Sequence, residues 1–141
     1  MNSYGLIYPM FAMVVLTFAV LVALFRARVR TVNEGQISAS YYETYQGETE
    51  PDSSIKLSQH FTNIFEAPSL FYVACLAAIA VGETAIAFQM LAWLYVTLRA
   101  VHAYIHTGSN KLRQRIAAYF SSWAVLLVMW SYLAIHIAMS N

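Results

Sequence analysis

Charged side chains are scarce in this 141-residue chain: eight Lys or Arg and seven Asp or Glu make up 11% of it. A soluble domain carries about 25%. The net charge is only +1, so nothing draws a nucleic acid and no such partner is expected. Cysteine is almost missing. Cys75 alone rules out an intrachain disulfide framework and any thiolate-rich zinc or iron–sulfur site. Hydrophobic residues make up 60% of the chain, with 15% aromatic and a mean hydropathy of +0.54. Neither a disordered chain nor an ordinary cytosolic enzyme has that composition. One membrane domain spanning 1–141 is expected.

Four apolar stretches build it. The first runs from Leu6 to Phe25 without a charge, and as a helix of about 1.5 Å per residue it spans about 30 Å. No small-residue cleavage site follows, so it reads as a retained span rather than a signal peptide. The other spans cover about 55–81, 84–106 and 116–138. Gly82-Glu83-Thr84 and Thr107-Gly108-Ser109-Asn110 read as tight turns. Short turns make neighbours antiparallel. The expected fold is an all-α membrane protein, a four-helix up-down bundle.

Basic residues are absent from the N-terminus, the Gly82 turn and the C-terminal tail. All eight lie at 26, 28, 30, 56, 99, 111, 113 and 115, toward one end of the bundle. The positive-inside rule places both termini outside, with the 26–54 loop and the 107–115 turn in the cytoplasm. The 31–54 stretch is polar and holds Glu34, Glu43, Glu48, Glu50 and Asp52. It reads as a solvated loop whose Tyr41, Tyr42 and Tyr45 rest at headgroup level.

Ionisable groups at membrane depth mark sites or interhelical bonds, because each costs several kcal/mol unpaired. On the second span Gln59, Asn63 and Glu66 share one helical face, with His60 beside it. On the third, Arg99, His102 and His106 recur at i, i+3 and i+7, and on the fourth Arg115, Tyr119 and Ser122 share a stripe. The three stripes are expected to converge on one cavity, with Glu66 pairing Arg99. Pro68 is expected to bend the second span and free a carbonyl near Thr62, Ile64 or Glu66. His102 and His106 could hold a metal or haem by spacing, and His60 with His102 a b-type haem across two spans, but no acid accompanies the first pair and neither group is expected. Cys75 reads as a packing residue, and His136 as interfacial.

These residues suggest a family. His60-Phe61-Thr62-Asn63-Ile64-Phe65-Glu66-Ala67-Pro68-Ser69-Leu70-Phe71 resembles the second-helix signature of the MAPEG family, membrane-associated proteins in eicosanoid and glutathione metabolism. Leu98-Arg99-Ala100-Val101-His102, continuing to His106, is similar to that family's third-helix segment. Asn110-Lys111-Leu112-Arg113-Gln114-Arg115, followed by Tyr119, resembles its basic start of the fourth helix.

The resemblance implies a homotrimer binding glutathione between subunits near the cytoplasmic side, with a lipophilic small molecule arriving from the membrane lipid. It assigns thiolate stabilisation to Arg115, with Arg113 second, and tripeptide contacts or pocket support to Asn63, Glu66, Arg99 and Tyr119. His102 and His106 occupy positions where the family places His or Tyr. Two positions depart from it. Glutathione-using members carry arginines where this chain has Thr62 and Gln59, so glutathione binding is expected to be weak. Pro68 also sits closer to Glu66 than in the transferases. The implied function is a glutathione-dependent transferase or peroxidase of a bacterial branch, in the inner membrane with periplasmic termini. The alternative is a non-catalytic protein using the same inter-subunit cavity for a lipid or a partner.

Overall fold

A computed structural model describes residues 3–83 and 85–140. A 3₁₀ turn, Ser3–Leu6, leads into α1 (Ile7–Asn33), followed by the short α2 (Tyr41–Thr44), α3 (Asp52–Ala80), α4 (Ile86–Thr107) and α5 (Leu112–Ser140). The four long helices are each long and apolar enough to cross a membrane. The chain is an integral membrane protein. Within the bundle α1 packs on α3 and α4, and α5 packs on α4 and α3.

The helices outrun the expected spans. α1 continues eight residues past Phe25 and α3 begins at Asp52, so the expected loop shrinks to residues 34–51. α1 and α3 end alike. Gly35 and Gly82 take φ of +68° and +70°, and each lets the next N–H reach back to a helix carbonyl, Gln36 to Thr31 and Glu83 to Ala78. Thr84, in the expected Gly82-Glu83-Thr84 turn, lies outside the described residues.

The core follows a strict rhythm. On α4 one buried seam runs through Phe88, Ala92, Tyr95, Arg99, His102 and His106, alternating steps of four and three. On α3 the same rhythm runs His60, Ile64, Ala67, Phe71, Ala74 and Ala78. That spacing suits long helices crossing at shallow angles. Lipid is as apolar as leucine, so packing rather than hydrophobic transfer holds such helices together. Small Ala67, Ala74, Ala78 and Ala92 allow close approach, and Phe71 stacks on Tyr95 with ring centres 4.5 Å apart. Outward, Tyr8, Phe11, Phe18 and Phe25 of α1 remain largely exposed, as a membrane-facing stripe requires.

The 34–51 segment is folded rather than merely solvated. Arg28 lies 3.8 Å from Glu50 and stands over the rings of Tyr42 and Tyr45, at 5.0 and 5.5 Å. Tyr41 is buried, and Glu48 accepts hydrogen bonds from the Ser38 N–H and hydroxyl. These contacts tie the end of α1 to the start of α3.

The opposite end has its own clasp. Glu83 is buried; one carboxylate oxygen accepts the Ala85 N–H at the start of α4 at 2.6 Å, and the other lies 3.1 Å from His136 Nδ1. His136, expected at the interface, is half-exposed near the end of α5 and lies against this acid. Glu83→Ala removes a cap and an interhelical contact together. It should cost about 1 kcal/mol, read as a lower thermal midpoint in detergent, with Arg113→Ala as an unaffected control. At the α4–α5 corner a Cβ on Gly108 would stand 2.9 Å from the Tyr104 carbonyl oxygen. Gly108→Ala should likewise lower the midpoint, by about 1 kcal/mol, because backbone must move to admit the methyl.

Candidate functional site

The α4 seam changes character half-way along. Phe88, Ala92 and Tyr95 fill one end; Arg99, His102 and His106 continue the same buried stripe toward the basic end. There the helices part around a cavity of about 470 Å³. Small-molecule sites span about 300–1,000 Å³. Its lining comes from three helices: Gln59, Thr62 and Asn63 of α3, His102 and His106 of α4, and Arg115, Ile116 and Tyr119 of α5.

Arg115 is the best-positioned cation. It stands in the first turn of α5, where unpaired N–H groups leave a partial positive charge. Its guanidinium donates from Nη1 to Asn110 Oδ1 at 2.9 Å, and Asn110 adopts φ +49° in the preceding turn. Its carbonyl accepts from His102 Nδ1 at 3.2 Å, joining α4 to α5. A carbonyl can only accept, so this bond puts the His102 proton on Nδ1 and leaves a lone pair on Nε2.

Arg99 sits behind the cavity wall, only 1% exposed. Nη2 donates to the Asn63 carbonyl at 3.0 Å, and Nε and Nη1 are buried without a partner. The guanidinium carbon lies 6.0 Å from the Tyr119 ring centre. The expected Glu66–Arg99 ion pair is not formed. Glu66 is exposed, and the ion pairs among the described residues are Arg28–Glu50, Arg30–Glu34 and Glu83–His136. The physical reason lies in α3. Glu66 lies on the exposed side of the helix, off the buried seam of Ile64 and Ala67, while the buried Arg99 reaches the Asn63 carbonyl. Backbone takes the place of the carboxylate.

Of the residues singled out in the sequence, Asn63, His102, His106, Arg115 and Tyr119 line one cavity, and Arg99 supports it from behind. Glu66 and Arg113 are exposed and stand outside the lining. Sequence reasoning missed Asn110, which orients Arg115, and the inward place of His60. The three ring centres of His60, His102 and His106 lie 5.4, 4.9 and 5.6 Å apart. The signal for His60 was its step of four before Ile64 on the buried seam of α3.

A family model described as "MAPEG family" matches residues 6–135, nearly the whole chain. The chain belongs to the MAPEG family. No curated protein and no solved structure matches it. For this MAPEG protein, the positions of Gln59 and Thr62 are informative, since the resemblance drawn from the sequence implies arginines there in glutathione-using members. Both residues line the cavity, so the two missing cations are missing from the pocket itself. What remains is one arginine with two amides, a hydroxyl, a phenol and two imidazoles.

Proposed function

We propose that this MAPEG protein binds glutathione in the α3–α4–α5 cavity and presents its thiolate to lipophilic electrophiles or lipid hydroperoxides. Arg115 carries the reading: a guanidinium lines the cavity at the positive end of α5 and is held there by Asn110. A thiol of pKa about 8.5 is mostly protonated at neutral pH, and an adjacent cation or helix N-terminus favours its ionised form. The sulfur then gives its electron pair to an electrophilic carbon, forming a C–S bond as the leaving group departs. With a hydroperoxide it takes the terminal oxygen as the O–O bond breaks and the alcohol leaves, and a second glutathione thiol converts the resulting sulfenic acid to the disulfide, releasing water.

The proposal includes a homotrimer in a bacterial inner membrane, with both termini outside and the basic end in the cytoplasm. In such an assembly a neighbouring copy closes the open side of the cavity. Neutral Gln59 and Thr62 favour a second reading, in which the same cavity holds a lipid or a partner segment without turnover.

Titration of detergent-purified protein with glutathione, followed by ultraviolet thiolate absorbance, separates the two. A saturating rise at millimolar glutathione is expected; no rise overturns the proposal. Co-purified lipid by native mass spectrometry, without turnover, would install the second reading. Crosslinking that stops at dimer would remove the trimer.

A further inference from the structure

Arg26 is the first charge after the uncharged run from Leu6 to Phe25. As a helix that run spans about 30 Å, the thickness of a bilayer's hydrocarbon, so Arg26 stands where lipid phosphates begin. It is exposed and makes no hydrogen bond or ion pair with a described residue. The neighbouring arginines are occupied. Arg30 bonds Glu34 at 2.6 Å, and Arg28 lies against Glu50, Tyr42 and Tyr45.

Two hollows meet at Arg26. One, of about 440 Å³, lies between α1 and the start of α3 and is bordered by Thr31, Gln36 and Ser53. The other, of about 350 Å³, is walled by Phe25 and Val29. Arg26, Arg30 and Glu34 line both. Phe25 and Val29 are exposed, and Phe25 extends the outward stripe of Phe11 and Phe18 at steps of seven. A polar hollow and an apolar one thus share a wall that carries an unanswered positive charge.

We propose that this end of α1 binds an anionic phospholipid with a hydroxylated headgroup, of the phosphatidylglycerol class. Its phosphate rests on Arg26, its headgroup enters the polar hollow, and its acyl chains lie along Phe25 and Val29. Charge matching supports it. Arg26, Arg30 and Glu34 together carry one net positive charge, and a phosphodiester carries one negative charge. Asp52 and Lys56, of opposite sign and four residues apart on α3, line neither hollow. The guanidinium fork fits phosphate oxygens in pairs.

Headgroup chemistry follows from what the hollow leaves open. A zwitterionic lipid brings an ammonium, yet the Glu34 oxygens already accept from Arg30 and from Gln36 Nε2. The Ser53 hydroxyl and Gln36 Oε1 make no hydrogen bond with a described residue, and both can exchange bonds with lipid hydroxyls. Free phosphate would answer Arg26 but leave Phe25 and Val29 uncovered. No residue of these hollows lines the α3–α4–α5 cavity, so this site and glutathione binding can each fail without the other.

Native mass spectrometry of the full detergent-solubilised chain tests the site, with phosphatidylglycerol and phosphatidylcholine titrated separately. The first phosphatidylglycerol per protomer should bind at least about 5-fold more tightly, the effect of about one basic side chain on an anionic lipid. Arg26→Gln should cut that preference below about 2-fold, while Lys111→Gln, at the other basic corner, should keep it. Arg26 holds no partner in the fold, so its variant should elute from gel filtration as the wild type does. Inorganic phosphate at millimolar concentration should not displace the lipid. Equal binding of the two lipids, a preference that survives Arg26→Gln, equal loss in Lys111→Gln, or displacement by free phosphate overturns the site.

Discussion

Arg115→Ala should abolish most of the thiolate signal that glutathione produces with the wild-type protein. Among the described residues, Arg115 is the only arginine in the cavity lining, and Asn110 holds it in place. Removing it leaves the N-terminus of α5 as the remaining positive field, worth a fraction of a full charge. A loss of about one to two pK units in thiol acidity follows, or about 10–100-fold less thiolate at a fixed pH. Arg115→Lys should recover part of the signal, since charge returns but the planar fork does not. Arg113→Ala should change it less than about 2-fold, because Arg113 is exposed and lies outside the lining. Equal losses in both alanine variants would mean that general basic charge, not the Arg115 site, ionises the thiol.

Arg99→Met should leave the protein as stable as the wild type or more so. Burying an arginine without an acid carries a desolvation penalty, and here Nε and Nη1 go unsatisfied while one bond to the Asn63 carbonyl offsets part of it. Replacing buried charge with apolar volume is often neutral or stabilising by about 1–4 kcal/mol. Glu66→Gln should move the thermal midpoint little, and the double variant should equal the sum of the singles within about 0.5 kcal/mol. A coupling above about 1 kcal/mol would show that the two residues pair in the assembled protein. The same Arg99→Met variant should bind glutathione about 10-fold more weakly, because positive potential behind Tyr119 and His102 is lost. Isothermal titration checks that arm.

The helices were legible because composition and periodicity act over many residues at once. Four apolar stretches became α1, α3, α4 and α5, and the polar stripes of three of them met at one end. Charge pairing was not legible. Glu66 and Arg99 invited each other by scarcity, yet Arg99 found a backbone carbonyl, and sequence holds no direct sign of where carbonyls point. The 34–51 segment was legible in part: most of it is exposed, as its polarity suggested, but nothing in the sequence marked Arg28 as the residue that gathers Tyr42, Tyr45 and Glu50. His60 was readable in principle. Counting back from Phe71, Ala67 and Ile64 lands on it, but its polarity drew it toward the neighbouring Gln59–Asn63 face instead.

The continuous seam of α4 also governs how such a protein can diversify. Arg99, His102 and His106 occupy the same structural track as Phe88, Ala92 and Tyr95, so any replacement there is at once a chemical and a mechanical event. Gln59, Thr62 and Ile116 are different. They border the cavity yet are exposed and lie off the buried seams, so a change of side chain there carries little packing cost. New ligand preferences are cheapest to acquire at those three positions, while the track itself stays conservative.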